Sequence, residues 1–381
     1  MKRFLCMGLA ILCLLVALAG CTDQVLNPDG TISTKGEEKL PADGSQTGGQ
    51  VTLVPEETTL PGLSIIPGPG ATTGAPGSSE RETVGSGTVS LQTTPETRPP
   101  ISIGGQNPED MFKDSPHVMH VEFLKTGESD SILIRMDDTV VLVDTADSDD
   151  YDLLKTKLTG YGIETIHHLI ITHFDNDHIG SAAGVIKDFG VENVYAPDYV
   201  RDSGLYRSMM AAIESRSAFT TLHRVTEDVE INLDYGRLWI NPTHLYPSGE
   251  VLGQDSPDAA VEENNFSLIT SVYFGEASLL LLGDAEADRM AEFNALFAEG
   301  EYPTYTLVKT PHHGSYDKHL GASLTAVRPR YCVVCTDIED KVEAGLVTSM
   351  RASGAAAYYT YNGEITFSTD GSATKRLLTQ K

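Results

Sequence analysis

The sequence predicts a layered α/β domain, two central sheets covered by outer helices, preceded by a long segment of a different kind. Three observations carry this. Short β-rich runs occur in both halves of the chain from about His117 onward. Helical spacings alternate with them in both halves, which suits stacked sheets with helices outside. Residues 22 to about 114, by contrast, are rich in Gly, Pro, Ser and Thr and hold no sustained period. Such a segment buries too little apolar surface to offset its ordering entropy, so it reads as a flexible tether.

The elements follow in order. HVMHVEFL, SILIRM and TVVLVDT are strands, and YDLLKTKLTGYG is a helix ending in glycine. HHLIITH is a buried strand, SAAGVIKDFG a short helix, ENVYAP a strand and GLYRSMMAAIESR a helix. A mostly β block runs through TLHRV, VEINL, RLWINPTHLYP, FSLITSVYFG and ASLLLLGD. Three αβ units come next, ending in YTLVKT, RYCVVC and AAYYTY. A hairpin turning at Asn362-Gly363 is expected to close the chain. The domain boundaries expected are 1–20 for an export signal, 21–114 for the tether and 115–381 for the folded domain.

The N-terminus supports the first boundary. A basic start, Met1-Lys2-Arg3, precedes the apolar run FLCMGLAILCLLVALA. Leu18-Ala19-Gly20-Cys21 resembles the bacterial lipobox, which implies cleavage before Cys21 and a lipid on its sulfur. An uncleaved membrane anchor is the alternative. Either places the remainder on the extracytoplasmic face of the cell membrane, with the membrane itself the partner of the lipid. No later run is apolar enough to span a bilayer, so a channel formed by this chain alone is not expected. Only Cys332 and Cys335 remain; three apart on a strand, they point to opposite faces and should not bridge.

Net charge is −27, with 54 acidic against 27 basic residues. That excludes nucleic-acid binding by bulk electrostatics, and a polyanionic substrate would need a local basic group or metal ions. Chemistry concentrates where strands end. His173, Asp175, Asp177 and His178 follow the apolar run HHLIIT, with a spacing that can offer two ligands to one metal and two to a neighbour. A polar loop in which Asp177 caps the next helix is the simpler alternative. Asp284 ends a strand of four leucines, a poor place for a carboxylate unless it is paired or bound to a cation. His312 and His313 follow the strand TLV. Asp130 and Asp144 lie in turns between the first strands and are candidates to orient ligands.

In order and spacing these segments resemble the metallo-β-lactamase fold, and within it the hydrolase domain of the ComEC-type competence proteins. The likeness covers roughly residues 117–372. It rests on the turn Gly127 to Ser131, Asp144, His173 to Gly180, Asn264 with Ser267 and Leu268, Asp284, and His312 to Ser315. The resemblance implies an αββα sandwich with a dinuclear site at the sheet edges. It implies His173, Asp175, Asp177, His178, Asp284 and one of His312 or His313 as ligands. The assignment adopted is His312 to the metal and His313, with Asp177, to catalysis. Asp130, Asp144, Asn264 and Ser315 stand behind the ligands or on the substrate side. Two divalent ions, Zn2+ or Mn2+, are implied. Asp175 stands where many fold members carry histidine, and its oxygen shifts preference toward Mn2+ or Mg2+ while the histidines still admit zinc.

The chain departs from the family where a histidine is common after the strand YCVVC; here the sequence reads TDIEDKVEAG. Lys125, Glu128 and Ala146 also replace residues usual in relatives. The function expected is an extracytoplasmic metal-dependent hydrolase, a phosphodiesterase or nuclease with single-stranded DNA among its candidate substrates. A hydrolase of wall-linked phosphoesters and a surface binding module that has lost turnover are the alternatives. The sequence points to no protein partner.

Overall fold

A computed structural model describes residues 24–26, 32–34, 111–246, 248–252, 262–298, 300 and 303–381. Two compact units divide the chain, residues 1–87 and 88–381. In the first, β1 (Gln24–Leu26) and β2 (Ile32–Thr34) pair antiparallel, so the expected tether contains one short hairpin. The expected signal, Cys21 and most of the tether lie outside the described residues.

The second unit is an αββα sandwich. One sheet is built from β3 (Met119–Phe123), β4 (Ile132–Met136), β5 (Thr139–Val143), β6 (Thr165–Ile170) and β7 (Gly190–Pro197). A two-stranded parallel ribbon pairs β8 (Tyr199–Arg201) with a later segment. After β9 (Thr221–Val225), the second sheet opens with β10 (Val229–Asn232) and β11 (Gly236–Asn241), and β12 (Glu250–Leu252) supplies the ribbon's partner. It continues through β13 (Ile269–Phe274), β14 (Ala277–Leu281), β15 (Leu307–Lys309), β16 (Tyr331–Val334) and β17 (Ala356–Tyr359). β18 (Ile365–Thr369) and β19 (Arg376–Gln380) end the chain. The strand orders are β19-β18-β3-β4-β5-β6-β7-β9 and β10-β11-β13-β14-β15-β16-β17.

Alternation along the strands generates the layers. In the leucine run, Leu279 and Leu281 face the core between the sheets, while Leu280 and Leu282 face the outer helices. Cys335 lies in the inter-sheet core and Cys332 under the helices, both as free thiols, in agreement with the opposite faces expected. Helices 182–188 and 204–215 pack Val185, Ile186, Met209 and Ala212 against the outer face of the first sheet. Helices 287–295, 318–327 and 344–353 do the same for the second.

The closing hairpin is not where the sequence suggested. Thr360–Asn362 forms a 3-10 turn and the chain passes from β17 in one sheet to β18 in the other. The hairpin joins β18 to β19 instead. An Asn-Gly pair marks a sharp turn, but only the flanking registers decide whether its two strands share a sheet.

Two parallel blocks position the site: β5, β6, β7 and β9 in the first sheet, and β14, β15, β16 and β17 in the second. Parallel strands bring their carboxyl ends to one edge, where ligand sites of α/β sheets collect. Among the described residues no helix is long and apolar enough to cross a membrane.

Candidate metal centre

Asp144, immediately after β5, organises the first half of the site. Its backbone is left-handed (φ 57°) and its carboxylate is buried. The Thr172 amide donates to Oδ1 at 2.8 Å and the Thr172 hydroxyl to Oδ2 at 2.7 Å. His178 Nδ1 lies 2.8 Å from the same Oδ2. A carboxylate here makes Nδ1 the protonated nitrogen and leaves Nε2 as the bare one.

The same arrangement recurs twice. His173 Nδ1 is 3.0 Å from the Thr172 hydroxyl, which gives its own hydrogen to Asp144. His313 Nδ1 donates to the Cys335 carbonyl at 3.1 Å. All three rings are buried, and none of the three Nε2 atoms has a hydrogen-bond partner.

Carboxylates meet these nitrogens. Asp284 Oδ2 lies 3.0 Å from His313 Nε2 and 3.3 Å from His178 Nε2, and Asp177 Oδ2 lies 3.1 Å from His313 Nε2. Ligand atoms of Asp177, His178, Asp284 and His313 all fall within 4.8 Å of one another. A compact set of two imidazoles and two carboxylates fits a divalent ion. Electrostatics show the same demand for a cation. Burial disfavours a charged His313, yet Asp284 and Asp177 outweigh it and push its pKa up to about 10. Burial likewise opposes ionisation of Asp284, but His313, His178 and Lys309 hold it well below the usual carboxylate range.

Close backbone approaches shape this edge. Gly283, before Asp284, has φ 53°, and a Cβ there would lie 3.0 Å from the Thr172 side chain. The Asp284 amide donates to Ser267 Oγ at 3.1 Å. Within the first sheet, the Asp130 amide donates to the Asp177 carbonyl and the Thr145 amide to the His178 carbonyl. The ligand loop is thus tied to two other strand ends.

The structure separates the paired histidines differently from the sequence assignment. His312 and His313 both have left-handed backbones (φ 47° and 51°), and their rings sit at 75° to one another. His313, expected to act in catalysis, enters the ligand cluster. His312, expected as a ligand, turns away: its Nδ1 is 3.1 Å from Glu286 Oε1 and its Nε2 3.5 Å from Asn264 Nδ2. Asn264 donates through Nδ2 to Glu286 at 3.0 Å, and its buried Oδ1 has no partner. Asp175 Oδ2 lies 3.7 Å from His173 Nε2. Ser315 donates its amide to the His312 carbonyl and closes the turn. Asp130 is buried against Lys309.

Several contributors went unremarked in the sequence. Thr172 is the hydroxyl that orients His173. Lys309 is fully buried, pairs with Asp130, lies 3.6 Å from Asp284 Oδ1 and donates to the Gly283 carbonyl at 2.9 Å. A lysine closing a core strand beside the histidine pair was a readable signal. Arg201, which approaches Asp175, and Glu263, which pairs with Arg201, were not readable, because only folding brings them there.

Residues 124–336, more than half of the chain, match the Metallo-beta-lactamase superfamily. The chain is 28% identical over 178 residues to ComE operon protein 3 of Bacillus subtilis (strain 168), an alignment covering 46% of this chain and 21% of that protein. The chain therefore spans well under two thirds of that relative. Among solved structures it is similar to the metallo-beta-lactamase fold protein YhfI from Bacillus subtilis. That likeness has 13% identity and a TM-score of 0.43, and covers 66% of this chain and 100% of that one. It is also similar to human tRNase Z, short form, with 14% identity and a TM-score of 0.36, covering 56% and 91%. Every ligand atom and supporting carboxylate described above falls inside residues 124–336, and on that match the chain belongs to the metallo-beta-lactamase superfamily, whose members are metal-dependent hydrolases.

Proposed function

We propose that this chain is a dinuclear metal-dependent hydrolase of phosphodiesters, acting outside the cytoplasmic membrane from a lipid anchor at Cys21. The observation that carries the hydrolase reading is the set of three buried histidines. Each has Nδ1 fixed by a hydrogen-bond partner and an Nε2 turned toward carboxylates.

Asp177, His178, Asp284 and His313 would hold one ion, and His173 and Asp175, with the Asn264 amide oxygen, the other. Bound divalent ions supply Lewis acidity and lower the pKa of water at the scissile bond. The remaining steps belong to side chains. Glu286 accepts from His312 Nδ1, and the doubly protonated ring would hand its Nε2 proton to the leaving oxygen while Nδ1 stays bonded to Glu286. In this reading the two histidines exchange the roles expected from sequence. Gly283 and the Ser267 hydroxyl hold Asp284 at the strand end, so its oxygens need no reorganisation during the reaction.

The acidity of the chain favours a short phosphodiester, or one end of a longer one, over tight coverage of nucleic acid. The missing histidine after Cys335 motivates the alternative of a binding module without turnover. The four-ligand cluster weighs against it, because that cluster is complete without the missing residue.

The test loads the full chain with Mn2+ or Zn2+ and assays single-stranded DNA and a small aryl phosphodiester, beside Asp284→Ala. Cleavage by the wild type alone is expected. Equal rates for both proteins on both substrates would end the hydrolase reading, and cleavage of the small diester alone would end the nuclease version.

A further inference from the structure

The Asp175 side of the site is built differently from the Asp284 side. Arg201, on β8, lies with Nη2 3.5 Å from Asp175 Oδ1, and its Nη1 pairs with Glu263. Glu263 is buried and accepts the Tyr199 hydroxyl at 2.6 Å. That hydroxyl accepts the Phe174 amide at 2.8 Å. The contacts close a ring: the backbone between His173 and Asp175, Tyr199, Glu263, Arg201 and Asp175 again. Tyr199 and Arg201 are two apart on one strand and so share the face turned to the ligand loop.

The donors on this side are correspondingly thin. The first position has two carboxylates and two imidazoles. At the second, His173 Nε2 and Asp175 Oδ2 lie 3.7 Å apart, and that carboxylate already faces a guanidinium. A guanidinium cannot lose its charge at ordinary pH, so it repels any cation approaching Asp175 until it moves. Glu263, adjacent to Asn264 on the same 3-10 turn, already shares that guanidinium and can hold it alone when Asp175 turns to a cation.

We infer that Arg201 is a resident counter-cation for Asp175 that holds the second metal position at low affinity, so that the centre fills in two steps and the second requires the guanidinium to leave Asp175 and rest on Glu263 alone. This rests on reading the cluster as a metal centre. The apo chain then keeps Asp175 neutralised, and the second ion enters only when its concentration is high enough to displace Arg201.

The experiment titrates the chelator-stripped full chain with Mn2+ by calorimetry and counts bound metal by elemental analysis. Wild type should take one equivalent tightly and a second at least about tenfold more weakly. Asp284→Ala should abolish the tight event, which tests the metal-centre reading separately. Arg201→Ala should leave the tight event alone and strengthen the second about five- to tenfold, the scale of an ion pair one third exposed acting on a divalent ion. Arg201→Lys, which keeps the charge, should stay within about twofold of wild type on the same scale. Glu263→Gln removes the alternative partner and should weaken the second event. Two equal sites in wild type would overturn the inference. So would an unchanged second affinity in Arg201→Ala with the tight event intact. Should Arg201→Ala lose the tight event through misfolding, the Glu263→Gln titration decides, and an unchanged second affinity there overturns the inference equally.

Discussion

His178 is held from both ends: its Nδ1 lies 2.8 Å from Asp144 and its Nε2 3.3 Å from Asp284, two carboxylates that come from different sheets. Asp144 therefore acts on the metal position through the ring. Asp144→Asn should lower metal affinity about 10- to 100-fold, the usual effect of losing a group that orients a ligand. Metal retained after dialysis against a graded chelator series measures this. Retention equal to wild type would show that Asp144 serves only the fold.

The paired histidines should separate experimentally. His313→Ala removes a cluster ligand and should lose both bound metal and activity. His312→Ala should keep the full metal content and lower kcat about 10²- to 10⁴-fold, the range for a lost proton donor. Elemental analysis beside steady-state kinetics distinguishes them. Loss of metal in His312→Ala would return that residue to the ligand set.

Lys309 compensates Asp130 where both side chains are buried. Lys309→Met leaves a buried carboxylate uncompensated and should destabilise the chain by about 3–5 kcal/mol. Urea unfolding of the metal-free protein reads this directly. The double change Lys309→Met with Asp130→Leu should recover much of the loss, because removing both charges also removes the unpaired one.

The metal-free chain should also report the charge of His313. Its pKa in the folded protein is raised to about 10, above the ordinary histidine value. A raised value means the folded state binds the proton more tightly than the unfolded state. The resulting stabilisation is complete below the unfolded value, near 6.5, and is lost as pH rises through about 10. Without metal, then, the unfolding midpoint should fall from neutral to alkaline pH. With metal the slope should flatten or reverse, because the ion needs the deprotonated ring. His313→Gln should reduce the alkaline slope of the metal-free chain; part should remain from His178, where burial opposes the charge but Asp284 and Asp144 outweigh it. An unchanged slope would assign it elsewhere.

The sequence by itself determined the layered α/β class, the strand ends that carry chemistry, and the faces of Cys332 and Cys335. These rest on short-range regularities: a period of two along strands, a longer period in helices, and polar residues where a buried run stops. Asp284 after four leucines was legible for that reason. Tertiary structure alone decided which of two adjacent histidines enters the cluster. Two left-handed residues in succession swing the rings apart, and no local preference encodes that. It alone placed Arg201 between Asp175 and Glu263, and it routed the chain after Asn362 into the opposite sheet. Contacts between the ends of different strands depend on how two sheets stack, and stacking is a property of the whole core, not of any segment within it.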